Sequence, residues 1–190
     1  MYLFFDTETA DLPKRWDAPA TDTSNWPHLV QVAWIVCDAH GAPQLAESHL
    51  IQPVGFSISP GAMARHGITT AHARAHGVPL EPALKKFMTA LADAAIVVAH
   101  NVDFDVKVLS AEFFRAGLAD PFIGKTLRCT MKESTAFCKL PGGRGYKWPT
   151  LLELHQTLFG ESFGGAHDAA SDCQACLRCY FALKSRGVLA

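Results

Sequence analysis

Residues 2–9 read Tyr-Leu-Phe-Phe-Asp-Thr-Glu-Thr, a run of four apolar residues followed at once by two carboxylates that one threonine separates. An apolar run of this length is typical of a strand buried on both faces, in the centre of an α/β sheet. The run stops at Asp6, which predicts that the strand ends there. Side chains two residues apart on an extended chain point to the same face, so Asp6 and Glu8 should project together.

The remainder of the chain alternates between the sequence patterns of strands and helices. Strands at 29–37 and 45–51 are predicted to form a hairpin around Asp38-Ala-His-Gly41. Further strands are predicted at 95–99 and 126–131, helices at 69–76, 81–92, 104–116, 132–137, 151–159 and 168–184, and loops after Thr9, at 53–61 and at 140–149. This order predicts an α/β fold with a central mixed sheet, an antiparallel hairpin plus parallel strands, flanked by helices.

The length and composition exclude several classes of protein. A chain of 190 residues with 49% hydrophobic and 18% charged residues is not intrinsically disordered, and residues 1–190 are predicted to form a single domain. The formal net charge of -1 argues against a protein that coats nucleic acid through a strongly basic surface. No apolar run approaches the roughly 20 residues needed to span a membrane, and no signal peptide is recognised. With six cysteines expected to be reduced, the predicted location is cytoplasmic.

Two further polar clusters occur later in the chain. The segment His100-Asn-Val-Asp-Phe-Asp105 directly follows a predicted strand, where open α/β sheets place their ligands. The segment His167-Asp-Ala-Ala-Ser-Asp172 begins the last predicted helix. Each cluster also has a simpler explanation when it is taken alone. Asp103 fits a helix cap, a lone histidine is more often a surface residue, and an isolated Asp-x-Glu is more often an acidic turn that faces water.

In their order along the chain, the three segments resemble the motifs of the DnaQ-like (DEDDh) family of 3′–5′ exonucleases. Phe5-Asp-Thr-Glu-Thr9 is similar to the first motif, 100–105 to the second and 167–172 to the third, and the resemblance extends from residue 2 to about residue 183. It implies a ribonuclease H-like fold and two-metal hydrolysis of phosphodiester bonds from a 3′ end. The catalytic residues that it implies, motif by motif, are Asp6, Glu8, Asp105, His167 and Asp172. Asp103 falls on a variable position of the second motif and is not included.

The residue types suit this chemistry independently of the resemblance. Neighbouring carboxylates repel each other unless a cation compensates, and their hard oxygen ligands favour Mg²⁺ or Mn²⁺. The metal ligands that the resemblance implies are Asp6, Glu8, Asp105 and Asp172, which would hold two Mg²⁺ per active site, with Mn²⁺ as a substitute. Two cations about 4 Å apart can activate water and neutralise the leaving oxygen. His167, with an ordinary pKa of about 6.5, is the predicted general base.

Five weaker candidates for binding the substrate surround these residues. Thr7 and Thr9 could hold the terminal nucleotide through amides or hydroxyls, although both are also ordinary strand residues. The resemblance implies that Leu12 contacts the terminal base, but the family's usual Thr-Gly before this leucine is Ala-Asp here, which leaves the shape of the loop open. His66 lies in a segment similar to the border of the family's nucleotide pocket. Asn101 either donates to a phosphate or braces the adjacent strand.

Two other features have competing interpretations. The loop predicted at 140–149 places Tyr146 and Trp148 among cations, a combination suited to stacking bases. The alternative, which we favour from the sequence, packs Trp148 against the core. Three cysteines in the segment Cys173–Cys179 are spaced by three on the last predicted helix. They are predicted to share a buried helix face rather than to bind a metal cluster.

The predicted function is a 3′–5′ exonuclease that releases nucleoside 5′-monophosphates, with single-stranded DNA as the first choice of substrate. One alternative is an exoribonuclease resembling oligoribonuclease, because the residues do not determine how the pocket treats a 2′-OH. A second is a non-catalytic nucleic-acid-binding subunit of a polymerase, whose signature would be loss of an acid or of the histidine, and none is lost here. The expected partners are nucleic acid 3′ ends, with a polymerase or repair protein as a further candidate and no membrane.

Overall fold

The computed structural model describes residues 1–189, and its centre is a five-stranded mixed sheet with helices on both faces. The strands are β1 (Tyr2–Thr9), β2 (Leu29–Cys37), β3 (Pro43–Leu50), β4 (Ile96–Ala99), β5 (Thr126–Cys129), β6 (Pro141–Gly142) and β7 (Gly145–Tyr146). The helices are α1 (Pro60–His66), α2 (Thr70–His76), α3 (Leu80–Ala92), α4 (Val102–Arg115), α5 (Thr130–Glu133), α6 (Thr135–Cys138), α7 (Leu151–Phe159) and α8 (Ala169–Ser185).

The sheet joins an antiparallel half to a parallel half, as the sequence predicts. Its strand order is β3-β2-β1-β4-β5, which places β1 at the centre. β2 is antiparallel to both β1 and β3, whereas β4 is parallel to both β1 and β5. The predicted α/β architecture with one antiparallel hairpin is therefore confirmed.

The prediction that β1 ends at Asp6 is wrong, because the strand continues to Thr9. Asp6 is paired with Ala33 of β2, and Glu8 is paired with Gln31. On the other side of β1, the paired register with β4 covers only Tyr2–Phe4. Pairing with β2 satisfies the backbone hydrogen bonds of the acidic segment, so its polar side chains do not end the strand. The acids consequently lie on a rigid strand beyond the end of β4.

Alternate residues of β1 face two separate cores. Leu3 and Phe5 pack into the core that α3 and α4 cover, and the Phe5 ring lies 5.6 Å from that of Phe87. Tyr2 and Phe4 pack into the core that α7 and α8 cover, and the Phe4 ring lies 5.4 Å from that of Tyr180. Continuing this alternation places Asp6 and Glu8 on the α8 face of the sheet and Thr7 on the α4 face.

The helices that differ from the prediction are short. α1 has Ser59 as its N-cap and Pro60 in its first turn, but none of its residues is buried. The sequence therefore offered no apolar stripe from which to predict it. The helix predicted at 132–137 is instead two four-residue helices, α5 and α6, which meet at Ser134. α7 has the predicted bounds, and Thr150 forms a capping box with Glu153 at its start.

Two predictions about buried residues have opposite outcomes. Trp148 is 61% exposed, so the expectation that it packs against the core is wrong, and the loop predicted at 140–149 contains the small hairpin β6–β7. Cys173, Cys176 and Cys179 are buried free thiols in the α8 core, as predicted.

Within residues 1–189 no helix has both the length and the hydropathy required to cross a membrane.

A buried carboxylate fixes the C-terminal end of the loop between β1 and β2. Glu112 of α4 accepts a hydrogen bond from the amide of Leu29 at 2.8 Å and forms an ion pair with Arg115 at 3.0 Å. The guanidinium of Arg115 also donates to the carbonyl oxygens of Thr23 and Trp26. These bonds hold the end of the loop against α4, on the side of the sheet that carries Asp105.

Candidate active site

The predicted catalytic residues meet where β1 extends past the end of β4. Asp6 and Glu8 lie on β1, Asp105 lies in the first turn of α4, and His167 and Asp172 lie at the beginning of α8. Glu8 and Asp105 are buried, and Asp6, His167 and Asp172 are partly buried. Three elements that are distant in sequence therefore contribute to one site.

The tightest part of the site contains Glu8, His167 and Asp172. One potential ligand atom of each residue lies within 4.8 Å of the others, a spacing that one metal ion could bridge. Asp6 and Asp105 are not members of this group. Both nevertheless interact with it electrostatically. Asp105 raises the pKa of Glu8, and repulsion from Asp105, Asp172 and Glu8 adds to burial in raising the pKa of Asp6.

Asp105 reaches the site from the opposite face of the sheet. Its Oδ1 accepts hydrogen bonds from the hydroxyl of Thr7 at 2.7 Å and from the amide of Thr7 at 3.1 Å. Thr7 is buried and faces the α4 side, and Asp105 already occupies its hydroxyl. The sequence predicts that Thr7 contacts the nucleotide. In the structure its hydroxyl and amide instead orient the carboxylate of Asp105. Both donors bind the same oxygen of Asp105, which leaves Oδ2 available for another ligand.

Asp172 has one occupied and one unpartnered oxygen. Its Oδ2 accepts a hydrogen bond from the backbone amide of His167 at 3.1 Å. Its Oδ1 is buried and has no hydrogen-bond partner within residues 1–189. A buried carboxylate oxygen without a donor is costly, and a bound cation would compensate it. This unpartnered oxygen fits the predicted metal site.

The backbone is strained at two points of the site. Asn101 has a φ of 75° and His167 a φ of 68°, the left-handed conformation that residues other than glycine rarely adopt. Asn101 precedes the first residue of α4, and its side chain makes no capping hydrogen bond within residues 1–189. Asp103, the alternative cap, is exposed and forms an ion pair with Lys132. Strain of this kind is typical of positions that are fixed for function.

Burial and mutual repulsion raise the pKa of every acid in the cluster. The pKa of Glu8 is raised to about 8 by burial and by Asp172, and that of Asp105 to about 7, chiefly by burial. Burial also raises the pKa of Asp172 to about 6, and burial together with Asp105 raises the pKa of Asp6 well above its ordinary value. A metal-free cluster therefore holds protons that divalent cations would displace.

Two of the predicted substrate-binding residues lie beside the end of β1. Nδ1 of His66 accepts from the amide of Ile68 at 3.0 Å, which leaves Nε2 to donate to the carbonyl oxygen of Thr9 at 3.2 Å. The hydroxyl of Thr9 is also engaged, since it donates to the carbonyl oxygen of Asp11 at 2.7 Å. His66 thus ties the end of α1 to the strand that carries the acids.

Leu12 is the most exposed of the predicted substrate-binding residues. Its side chain is 64% exposed, and its amide donates to the carboxylate of Asp11 at 2.8 Å. Asp11 is not among the residues with positive φ, so it does not copy the left-handed glycine of the family pattern. Its side chain shapes the turn instead and leaves Leu12 uncovered.

Sequence reasoning missed two residues that act on the site. Gln31 of β2 donates to Oδ1 of Asp168 at 2.9 Å and accepts from the amide of Ala169 at 3.2 Å, which fixes the start of α8. Arg65 of α1 lowers the pKa of Glu8 and Asp172 through its positive charge. The sequence analysis did not single out Arg65, although the resemblance had placed its neighbour His66 at the border of the nucleotide pocket.

His100 braces the segment that leads to Asp105. Its Nε2 donates to the carbonyl oxygen of Pro149 at 3.0 Å, and its Nδ1 accepts from the hydroxyl of Thr130 at 2.9 Å. The bond that Nδ1 accepts requires the neutral ring. Burial lowers the pKa of His100 to about 4, although the hydrogen bond to Pro149 opposes this shift. The unfolded chain takes up a proton as the pH falls below about 6.5, whereas the folded protein does not until about pH 4. His100 should therefore make the folded protein less stable as the pH falls through this window.

We expect the variant His100→Gln to lose this pH dependence. Relative to the variant, wild type should lose about 2 kcal/mol of unfolding free energy between pH 7 and pH 5, measured by urea denaturation. The carboxylates titrate in both proteins and cancel in the comparison. The variant of an exposed histidine, His40→Gln, should follow wild type. Parallel pH profiles for wild type and His100→Gln would show that His100 is not held neutral by the fold.

Comparisons with known proteins agree with this geometry. The RNase T family model, described as exonuclease, matches residues 3–180. The structure of E. coli exonuclease I with a dT13 oligonucleotide has a TM-score of 0.77 and 23% identity, and the match covers 97% of this chain and 41% of that chain. The zinc-bound complex of E. coli exonuclease I with single-stranded DNA has a TM-score of 0.76 and 24% identity, covering 97% of this chain and 40% of that chain.

These similarities establish the fold as ribonuclease H-like, as predicted. This chain spans about two fifths of the length of exonuclease I. No curated protein sequence matches the chain. None of the comparisons supports a polymerase as a partner.

Proposed function

Because this chain belongs to the RNase T exonuclease family, we propose that it is a metal-dependent 3′–5′ exonuclease that acts on single-stranded DNA and releases nucleoside 5′-monophosphates. The observation that carries the proposal is the convergence of four carboxylates whose pKa values remain raised despite the nearby charge of Arg65, one of them with a buried oxygen that has no partner within residues 1–189. A purely binding protein would gain nothing from these acids, because they repel the phosphates of nucleic acid.

Four carboxylates would hold the cations. The proposed ligands are Asp6, Glu8, Asp105 and Asp172, with two Mg²⁺ per site, and Mn²⁺ is expected to substitute. The cations, when bound, would supply the activation of water and the neutralisation of charge on the leaving oxygen. The chain itself orients the acids: the hydrogen bonds from Thr7 fix Asp105, and the amide of His167 fixes Asp172.

His167 is the proposed general base. Burial lowers its pKa, and the positive charge of Arg65 lowers it further. Its ring is therefore neutral at physiological pH and can accept a proton from the attacking water. Its strained backbone places the ring beside Glu8 and Asp172, where that water would be held.

Single-stranded DNA is the proposed substrate for two reasons. The similar structures of exonuclease I contain single-stranded oligonucleotides. In this chain, His66 and the uncovered side chain of Leu12 adjoin the end of β1, where they could contact the terminal nucleotide, and Thr9 and Asn101 are the further proposed contacts. Contact with a terminal nucleotide favours a free end over an internal bond.

The function is tested by end-labelled oligonucleotides in Mg²⁺. We expect a single strand labelled at its 5′ end to shorten as a ladder, and a strand labelled at its 3′ end to release labelled mononucleotide at once. EDTA should stop both reactions. RNA and duplex DNA of the same sequence, assayed in parallel, decide the preferred substrate. Efficient cleavage of a circular single strand would contradict the proposal, because an exonuclease needs an end.

A further inference from the structure

Two exposed aromatic residues lie on a small hairpin to which the proposed active site assigns no role. Tyr146 is 54% exposed and Trp148 is 61% exposed, although aromatic side chains are usually well buried. They belong to residues 139–149, which contain β6 and β7 and which we call the aromatic hairpin. Two exposed rings so near each other in sequence make this hairpin a candidate binding surface.

The aromatic hairpin has a defined shape. Both residues of β6 are paired with β7, and the amide of Lys147 extends the ladder by donating to the carbonyl oxygen of Leu140 at 3.0 Å. A Cβ on Gly142 would lie 2.9 Å from the backbone nitrogen of Lys147, so glycine is needed for this close approach. The turn therefore fixes the backbone that carries the two rings.

Alternation of side chains predicts that Tyr146 and Trp148 share one side of the hairpin. Trp148 precedes Pro149, and a residue before proline is restricted to extended conformations. Side chains alternate along an extended chain, so Lys147 should point to the other side. In agreement, its Nζ contacts Oε1 of Glu153 in α7 at 2.5 Å. Two rings on one side of an extended segment form a surface on which successive bases can stack.

The charge of the aromatic hairpin is opposite to that of a phosphate backbone. Residues 139–149 contain three cations and no carboxylate, whereas the whole chain has a formal net charge of -1. Lys147 is paired with Glu153, but Lys139 and Arg144 are exposed and form no ion pair within residues 1–189. Aromatic rings beside free cations suit a single-stranded nucleic acid better than an apolar protein surface.

The aromatic hairpin is connected to the site through His100. The hydrogen bond from His100 to Pro149 fixes the base of the hairpin at the end of β4. His100 directly precedes Asn101, with which α4 begins, and the first turn of α4 carries Asp105. The hairpin and the acids therefore share the same edge of the sheet.

We propose that the aromatic hairpin is a stacking surface for the part of a single-stranded substrate that lies upstream of the 3′-terminal nucleotide. The inference rests on the proposed function, because the strand that stacks here must also reach the acids. The rings accept any base, and the free cations hold the backbone, so binding has no sequence preference. The surface strengthens the binding of strands long enough to reach it and does not affect a dinucleotide.

The test compares the wild-type protein with the double variant Tyr146→Ala, Trp148→Ala. Binding of an oligothymidylate of about 15 nucleotides is measured by fluorescence anisotropy in Ca²⁺, and turnover of a thymidine dinucleotide is measured in Mg²⁺. The double variant should bind the long strand about 10- to 100-fold more weakly and hydrolyse the dinucleotide at the wild-type rate. The variant Trp148→Phe should retain most of the affinity. The control Ile123→Ala, which removes another exposed apolar side chain, should match wild type.

The two readouts separate this inference from the proposed function. Equal affinity of wild type and the double variant for the long strand would overturn the stacking surface, even if both proteins hydrolysed the dinucleotide. Equal losses with the dinucleotide and the long strand would also overturn it, because the effect would then arise in the active site. If wild type hydrolysed neither substrate but bound the long strand more tightly than the double variant, the stacking surface would stand and the proposed function would fail.

Discussion

Replacing Asp6 with alanine should abolish hydrolysis at every practical pH. Burial and repulsion from Asp105, Asp172 and Glu8 raise the pKa of Asp6, an environment that suits its proposed role as a metal ligand. Metal ions contribute several kcal/mol to such reactions, so turnover should fall by about 10³-fold or more. The measurement is release of mononucleotide in Mg²⁺ and in Mn²⁺ over a range of pH.

The same variant should lose metal binding without loss of the fold. Mn²⁺ should raise the Tm of wild type and leave that of Asp6→Ala unchanged, because a ligand stabilises only the state that binds it. The isosteric variant Asp6→Asn should be at least as stable as wild type without metal, because it removes a carboxyl group whose ionisation is opposed by burial and by the neighbouring acids. Asp103→Asn, at an exposed acid nearby, is the matched control and should keep both activity and the response to Mn²⁺. Turnover by Asp6→Ala above about a tenth of wild type would contradict the proposed role.

Replacing His167 with alanine should lower turnover by about 10²- to 10⁴-fold while metal binding persists. The histidine lies within 4.8 Å of ligand atoms of Glu8 and Asp172, a position from which it could act either as base or as ligand. The response of the Tm to Mn²⁺ distinguishes the two roles. It should survive in His167→Ala if the residue is a base and disappear if it is a ligand.

The pH profile provides a second criterion for His167. Since the pKa of His167 is lowered, the wild-type rate should rise with pH below about 6.5 and level off above it, as the neutral ring becomes available. This limb should be missing in His167→Ala. Ionisation of metal-bound water can overlap the limb, so the difference between the two proteins is the decisive quantity. Near-normal turnover with an unchanged profile would assign His167 a structural role.

Much of the fold could be predicted because its signals are local. The apolar content of β2 and the capping box of α7 lie within single elements, and both elements have the predicted bounds. The seven-residue helix α1 has local end signals in Ser59, Pro60 and Gly67, but it has no buried residue and no apolar stripe by which these signals could be recognised as those of a helix. The resemblance placed His66 at the border of the nucleotide pocket, but its bond to Thr9 and the approach of Arg65 to the acids are seen only in the folded chain.

The exposure of Trp148 also could not be predicted from the sequence. Apolar character and a neighbouring proline favoured burial, but burial depends on whether another element covers the ring. His100 binds the carbonyl oxygen of Pro149 and holds the backbone here, whereas the ring remains 61% exposed. Composition cannot distinguish these outcomes, because the sequence does not state which surfaces the helices leave open.

The sequence by itself determined which residues form the candidate site and that Asp6 and Glu8 share a face, because alternation along a strand is a local property of the backbone. Only the tertiary structure decided that β1 continues through the acids, because pairing with β2 supplies hydrogen bonds that no local pattern reveals. It also decided that Asp105 approaches from the other layer and binds Thr7. That contact joins residues 98 positions apart, and its geometry depends on how the helices pack on the two faces of the sheet.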